Sequence, residues 1–419
     1  MEAILLKNIK IAGKGDREHD ILIEGGVIRS ISGQCGAQDA EPVDCRGKVA
    51  VPGFVNMHIH AAMTLMRGMG EDVPFHTWLR KIWDIESGVD EEFVYWGTRV
   101  ACLEMARTGT TTFNDHYWFP AASYRAAVES GLRPVVSHVL IDRNDKETAE
   151  AEKERCEEIF EQSKTWGRQG AFIVGVHSVY SVTEGLMRWA SEFAARNGLK
   201  LHIHLSETRK EVEDCVRAHG LTPVQYADRL GLLGPDTIAA HTLWLSEEDI
   251  EILGRRKVTC VHNINSNLKL SSGYRFLYNE LKSAGARICI GSDGCASSNN
   301  LDILEALKTA AMVQKAWRED PAAMPLDDLL SMATVNGAEA LGLNTGRIEE
   351  GREADILIVD TDNSFFLSPA PFLADFIYSA HSDCIDSVIC QGKFVMRSRE
   401  IPDEKKVLHE ASRVLSKIR

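Results

Sequence analysis

The feature that most restricts how this chain can fold is a recurrence of eight short runs rich in β-branched residues, separated by longer amphipathic stretches. The runs are VAVPGFVN (49–56), TTTFND (110–115), RPVVSHVL (133–140), AFIVGVHSVY (171–180), LKLHIHLSE (199–207), TIAAHTLW (237–244), KVTCVHNINSN (257–267) and RICIGSDG (287–294). Such alternation is the pattern of a parallel sheet built from βα units. The intervening helices read as EEFVYWGTRVACLEMAR (91–107), TEGLMRWASEFAARNG (183–198) and LDILEALKTAAMVQKAW (301–317), the last with Leu301, Leu304, Ala306, Leu307 and Ala311 on one core-facing side. Eight repeats predict an α/β fold of the closed (β/α)8 TIM-type barrel.

The two ends of the chain have another style. ILLKNIKIAG and DILIEGGVIRSISG near the start, and ADILIVD (354–360) and CIDSVICQGKFVM (384–396) near the finish, alternate with period two and are punctuated by glycine. They are expected to pair into a small β-sandwich of residues 1–48 plus 346–419, beside a barrel of residues 49–345. EKKVLHEASRVLSKIR (404–419) reads as a closing helix of that terminal part.

Composition removes several classes of function. A chain of 419 residues, 44% hydrophobic and 26% charged, has ample material for a buried core, so disorder and fibrous structure are excluded. Its 47 basic and 61 acidic residues leave a net charge of -14, which repels phosphate backbones and anionic lipid; no nucleic-acid or membrane partner is expected. No uncharged apolar stretch approaches the ~18 residues of a bilayer span, and MEAILLKNIK, with Glu2 and Lys7, is not expected to act as an export signal. The ten cysteines, from Cys35 to Cys390, include no CxxC pair and read as reduced thiols, which predicts a cytoplasmic protein. A homo-oligomer is compatible with all of this.

Residues suited to chemistry gather at the ends of the runs. His58 and His60 form His-x-His, and because strand side chains alternate, both rings face the barrel mouth, where active sites of this fold sit. By itself His-x-His fits an ordinary strand pair better than a metal site. The other ends change that balance: His204-x-x-Glu207 follows the fifth run, His241 the sixth, and Ser292-Asp293-Gly294 the eighth. Polar residues of the kind that bind metals thus crown four different strands. His202 shares the face of His204 one layer deeper and reads as packing or support, while His116 and His262 read equally as pocket lining or structure. P-loop, nucleophile-elbow, H-E-x-x-H and zinc-type H-x-E…P-C-x-x-C patterns are absent.

Taken together, P-G-F-V-N-M-H-I-H (52–60), L-M-R-G (65–68), H-I-H-L-S-E (202–207), the histidine of the sixth run and G-S-D-G (291–294) resemble the amidohydrolase superfamily, in its branch of adenosine, cytosine, guanine and triazine deaminases and chlorohydrolases. E-D-V-P-F-H-T-W-L (71–79), I-E (85–86), E-M-A-R-T-G-T-T (104–111), G-V-H-S-V-Y (175–180), S-N-L-K-L (266–270) and G-S-D-G-C-A-S-S-N-N (291–300) are most similar to the methylthioadenosine/S-adenosylhomocysteine deaminases.

The resemblance implies one divalent ion per chain, held by His58, His60, His204 and Asp293, with Zn2+ suited to three imidazoles and a carboxylate and Fe2+ accepting the same donors. Relatives with two metals carry a carbamylated lysine on strand four; here that strand ends VHSVY without lysine, so a single ion is expected. Glu207, His241 and Asp293 are the implied catalytic groups. Glu207 carries protons to the ring, His241 steadies the attacking hydroxide, and Asp293 doubles as ligand and base. The substrate contacts implied are Glu86 on the sugar hydroxyls and His177 on the purine ring, besides Glu207 and Asp293. Trp83, like Trp78, reads equally as a wall over the site or as loop packing. His138 stands where S-adenosylhomocysteine-using relatives carry an arginine, so small uncharged 5′ groups are expected on the nucleoside, with Arg143 and Lys146 as further candidates to meet a carboxylate.

The expected activity is hydrolytic deamination of a small-molecule nucleoside of the adenosine type: 5′-deoxyadenosine, methylthioadenosine, adenosine or S-adenosylhomocysteine. The rival readings are a guanine, pterin or triazine aminohydrolase or chlorohydrolase of the same branch, and a barrel scaffold without catalysis. The complete set of ligands and proton carriers counts against the scaffold.

Overall fold

Eight strands run parallel and in chain order around a barrel: Phe54–Ile59, Thr110–Tyr117, Arg133–Leu140, Ala171–Ser178, Leu201–Leu205, Thr237–His241, Thr259–His262 and Arg287–Ile290. This computed structural model describes residues 3–33, 35, 39–167 and 169–417. The strands are covered on both faces, which is why they read as nearly continuous apolar runs. Their outer faces pack on the helices, while Val55, Met57, Val135, Ile173, Ile238, Val261 and Cys289 form a separate apolar layer against Ala338 and Ala340.

The seam between the last and first strands is closed by side chains and one backbone bond. Asn56 donates to Ser292 Oγ at 2.7 Å and accepts from Ser292 N–H at 3.1 Å, and Asp293 N–H donates to the His58 carbonyl at 2.9 Å. The residues that complete the cylinder are therefore immediate neighbours of the residues suited to chemistry.

Both chain ends supply the second sheet. Strand Ala3–Ile11 pairs with His19–Glu24 and Ala40–Asp44, and its last residues, Lys10 and Ile11, pair with Lys48–Pro52. Ile356–Asp360, Ile385–Cys390 and Lys393–Met396 extend that side. Ile4, Leu6, Ile9, Ile21, Ile23, Ile28, Ile356, Ile358 and Ile389 form the core of this part.

The structure departs from the sequence reading in three places. The run at 49–56 is two strands: Lys48–Pro52 belongs to the terminal sheet and Phe54–Ile59 to the barrel. Pro52 has no N–H for a ladder, and a Cβ at Gly53 would lie 2.3 Å from Thr111 Oγ1, so the chain changes sheets at the Pro-Gly step. The runs ending at 207, 244, 267 and 294 stop as strands at Leu205, His241, His262 and Ile290. Ser206 (φ 53), His241 (φ 72) and Asp293 (φ 63) adopt left-handed backbone at or just after those ends, which a ladder cannot continue through. The closing helix, Glu404–Leu415, packs on barrel helix Glu91–Thr108 instead of on the terminal sheet. Arg107–Glu404 and Arg413–Glu92 ion pairs hold it there at 2.6 and 2.5 Å.

One buried cation joins the two parts. Arg133, on the third barrel strand, is 1% exposed and pairs with Asp355 and Glu353, which lead into strand Ile356–Asp360. Asp355 also accepts from Gln391 N–H at 2.7 Å, so one carboxylate ties barrel and terminal sheet together. None of the helices among the described residues is long and apolar enough to cross a membrane. Substituting Arg133→Met leaves Asp355 buried without its cation and is expected to cost about 3–5 kcal/mol in urea unfolding, with much of the loss recovered in Arg133→Met/Asp355→Leu. A loss below about 1 kcal/mol would show that the two parts do not depend on this pair.

Candidate active site and metal centre

The C-terminal mouth of the barrel opens into a cavity lined by strand ends and by the long connection after the first strand. Its floor is made of strand-end side chains: His60, His116, His177, His204, Glu207, His241 and Asp293. Helix Phe75–Glu86, in the long connection after the first strand, covers one side with Phe75, Trp78, Leu79, Ile82, Trp83 and Glu86.

His58 and His60 flank Ile59 on one face, and their Nε2 atoms lie 3.3 and 3.2 Å from Asp293 Oδ1. Donor atoms of His58, His60 and His204 lie within 4.8 Å of one another, as do those of His58, His241 and Asp293. Each ring is oriented from behind. His60 Nδ1–H donates to the His116 carbonyl at 2.6 Å and His204 Nδ1–H to the His177 carbonyl at 2.7 Å, so the Nε2 lone pairs are turned into the site. His58 Nδ1 lies 3.0 Å from His202 Nε2, which gives the deeper histidine its role as support. His58 Nε2 is buried without a hydrogen-bond partner, as a ligand atom awaiting an ion would be. Burial pushes His58 down to about 4 and His204 well below the usual histidine range, keeping both as uncharged ligands near neutrality. Imidazoles and a carboxylate grouped around His58 suit Zn2+, and Fe2+ accepts the same kinds of donor.

Asp293 is held on several sides. Its Oδ2 accepts from Ser266 Oγ at 2.5 Å and its Oδ1 from Gly294 N–H at 2.8 Å. Burial alone would raise its pKa, yet the neighbouring His58 and His60 imidazoles keep the carboxyl well below the usual carboxylate range. His241 Nδ1 lies 2.9 Å from Asn267 Oδ1, and His241 Nε2 is 3.9 Å from Glu207 Oε2. Glu207 is buried, accepts from Ser272 Oγ at 3.1 Å, and is shifted upward chiefly by desolvation. A buried carboxyl shifted upward beside these donors is a group suited to proton transfer. His241 and Asp293 both sit in left-handed backbone, and strain of this kind, about 1–3 kcal/mol each, gathers at functional sites.

Ser266, Asn267 and Ser272 were not singled out as site residues by sequence reasoning. Ser266 and Asn267 fall in the S-N-L-K-L motif, where short helix Ile264–Lys269 lets adjacent residues reach Asp293 and His241. Tyr117 is a further addition: its hydroxyl donates to Glu86 Oε1 at 2.9 Å. Burial pushes Glu86 up to about 7 despite this bond.

Of the expected substrate contacts, Glu86, His177 and Trp83 line the main cavity. His177 Nδ1 is engaged with Ser181 Oγ at 2.7 Å, leaving Nε2 for the cavity, and burial lowers its pKa to about 3. The Trp83 ring lies 6.0 Å from His177 and carries the Arg143 guanidinium 4.9 Å from its centroid. His138 does not belong with them. It pairs with Glu152 at 2.9 Å and lines a side recess, whereas its neighbour Val139 lines the main cavity. Alternation along the strand sends adjacent side chains to opposite faces, and the cavity face falls on Val139. His116 lines the cavity, while His262 is buried in a stack on Phe276 at 4.2 Å.

Comparison with known proteins adds an independent line. The model of the amidohydrolase family matches residues 49–395. The chain is 40% identical over 416 residues to a 5′-deoxyadenosine deaminase of Methanothermobacter thermautotrophicus, covering 98% of this chain and 97% of that protein. It is 38% identical over 420 residues to 5-methylthioadenosine/S-adenosylhomocysteine deaminase 1 of Archaeoglobus fulgidus, covering 99% of each. The crystal structure of an adenosine deaminase from Xanthomonas campestris with bound zinc superimposes with a TM-score of 0.93 at 30% identity, covering 99% of this chain and 98% of that one.

Elemental analysis of the purified protein is expected to give about one divalent ion per chain, as a four-donor site with no second lysine-bridged position requires. Asp293→Asn should lower that occupancy, and chelation should abolish turnover without unfolding the barrel. Two ions per chain, or none in fully active protein, would overturn the assignment.

Proposed function

The chain belongs to the amidohydrolase family, and from that premise we propose that it is a metal-dependent hydrolytic deaminase of adenosine-type nucleosides, releasing ammonia and leaving the inosine analogue. The observation that carries this reading is the placement of Glu207 and His241 against the four metal donors, with Glu86 lining the same cavity. The names of the relatives agree with it. When bound, the ion supplies a Lewis acid and lowers the pKa of water.

The chain's own residues supply the rest. Glu207, held by Ser272, gives a proton to the ring nitrogen beside the carbon that bears the amino group. His241, fixed by Asn267, presents Nε2 to the attacking oxygen and the developing tetrahedral centre. Asp293 accepts the proton lost by the nucleophile and passes it towards the amino group. The new bond is from ring carbon to oxygen and the broken one from ring carbon to nitrogen; ammonia leaves with the proton relayed by Asp293, the ring nitrogen keeps the proton given by Glu207, and Glu207 recovers a proton from the second O–H of the attacking water. Glu86 accepts hydrogen bonds from the sugar diol, His177 offers Nε2 to the purine, and Trp83 walls the cavity. A guanine, pterin or triazine substrate has no diol for Glu86. Ten free cysteines fit a reducing, cytoplasmic setting.

Glu207→Gln should retain its metal and lose roughly 10²–10⁴-fold in kcat, as expected for a proton carrier that is not a ligand. Near-normal turnover would remove Glu207 from the mechanism. Ammonia release should be measured against adenosine, 5′-deoxyadenosine, methylthioadenosine, S-adenosylhomocysteine, guanine and cytosine. Small uncharged 5′ groups are expected to give the highest kcat/KM, because the cavity face of the third strand presents Val139 and not an arginine. If S-adenosylhomocysteine leads the panel, this order fails and Arg143, stacked on Trp83, becomes the first carboxylate partner to substitute.

A further inference from the structure

We propose that Glu211 is the positioning residue for Glu207: its buried carboxylate grips the two backbone N–H groups of the turn that carries the Glu207 side chain. This rests on the reading of Glu207 as the proton carrier. Glu211 Oε1 accepts from Ser206 N–H at 2.9 Å and Oε2 from Glu207 N–H at 2.7 Å. Glu211 is the third residue of helix Arg209–His219, capped by Thr208, whose hydroxyl accepts from Glu211 N–H at 3.1 Å. In an ordinary capping box the carboxylate at this place turns back to the N–H of the cap residue. Here it reaches past the cap to the two residues before it.

The turn needs such a grip. Ser206 lies at φ 53, a left-handed conformation that residues with side chains keep only when their surroundings impose it. The Ser206 carbonyl accepts from Leu243 N–H and Trp244 N–H, both at 3.0 Å, so the turn is held from the strand-six side as well. Glu211 is 6% exposed, and its described hydrogen-bond partners are these N–H groups, not a cation. The nearby Arg209 is instead stacked on Trp244 at 4.6 Å. Burying a carboxylate without a counter-ion is unfavourable, so its presence under the turn between His204 and its own helix marks a geometry that the site depends on. A carboxylate is the matching group because it offers two acceptors in a fork; an amide of the same shape offers one acceptor and sets an N–H against the second N–H.

Two measurements on the metal-loaded enzyme test the proposal. Hydrogen exchange resolved to residues 206 and 207 should show both amides protected in the unsubstituted protein, although they lie outside helix and strand, and faster exchange in Glu211→Gln. In kinetics, Glu211→Gln should keep its metal, hold KM within about twofold and lose roughly 10–100-fold in kcat, with partial recovery in Glu211→Asp. Added to Glu207→Gln, it should cause no further loss. Rapid exchange of the two amides in the unsubstituted protein overturns the proposal, whether or not Glu211→Gln folds. An equal fold-loss with and without Glu207 also overturns it. If Glu207→Gln itself keeps full turnover, the mechanism fails while the exchange result still reports on the grip.

Discussion

The gathering of His58, His60, His204, His241 and Asp293 at the mouth of the barrel is the constraint on which the rest of this molecule depends. Desolvation works against every charge there, and it is offset by mutual hydrogen bonding and by outer partners that orient each ring. Those partners reach across the barrel: the His116 carbonyl for His60, the His177 carbonyl for His204, His202 for His58, Ser266 for Asp293 and Asn267 for His241. A barrel whose strands slipped by one residue would turn each of these side chains to the opposite face. Closure of the barrel and assembly of the site are therefore one event, made explicit at the seam where Asn56, Ser292 and the His58 carbonyl meet.

Around that point the carboxylates are separated by environment. Asp293 is held below the usual carboxylate range by two neighbouring imidazoles, while desolvation shifts Glu207 upward. Two acids of similar intrinsic strength are thus given different tasks within one cavity. The second sheet contributes from a distance. Through Asp355 and Glu353 it fixes Arg133 at the start of the third strand, and through the Pro52-Gly53 step it sets where the first barrel strand, and hence His58, begins.

Much of this was legible in the sequence, for a definite reason. Period-two alternation places His58 and His60 on one face wherever the strand runs, and the recurrence of βα units says which end of the strand carries the site. His138 was named from the resemblance and not from alternation: it lines a side recess, while its neighbour Val139 lines the main cavity. Strand ends at 205, 241 and 290 were overrun because left-handed backbone at Ser206, His241 and Asp293 leaves no compositional mark.

The sequence by itself determined the barrel, the sheet drawn from both chain ends, and the histidines and carboxylates that crown the strands, because those follow from periodicity and from residue types set at the strand ends. Only the tertiary structure decided the partners that make them work. Tyr117 beside Glu86, Ser272 beside Glu207, Asn267 behind His241 and Glu211 under the turn at Ser206 carry ordinary side chains, and what they do is set by distances. Most of those distances cross between strands or between a strand and the loop of another, where local pattern has no reach. The direction of a hydrogen bond across a closed barrel depends on the register of all eight strands at once, and no single stretch of chain encodes it.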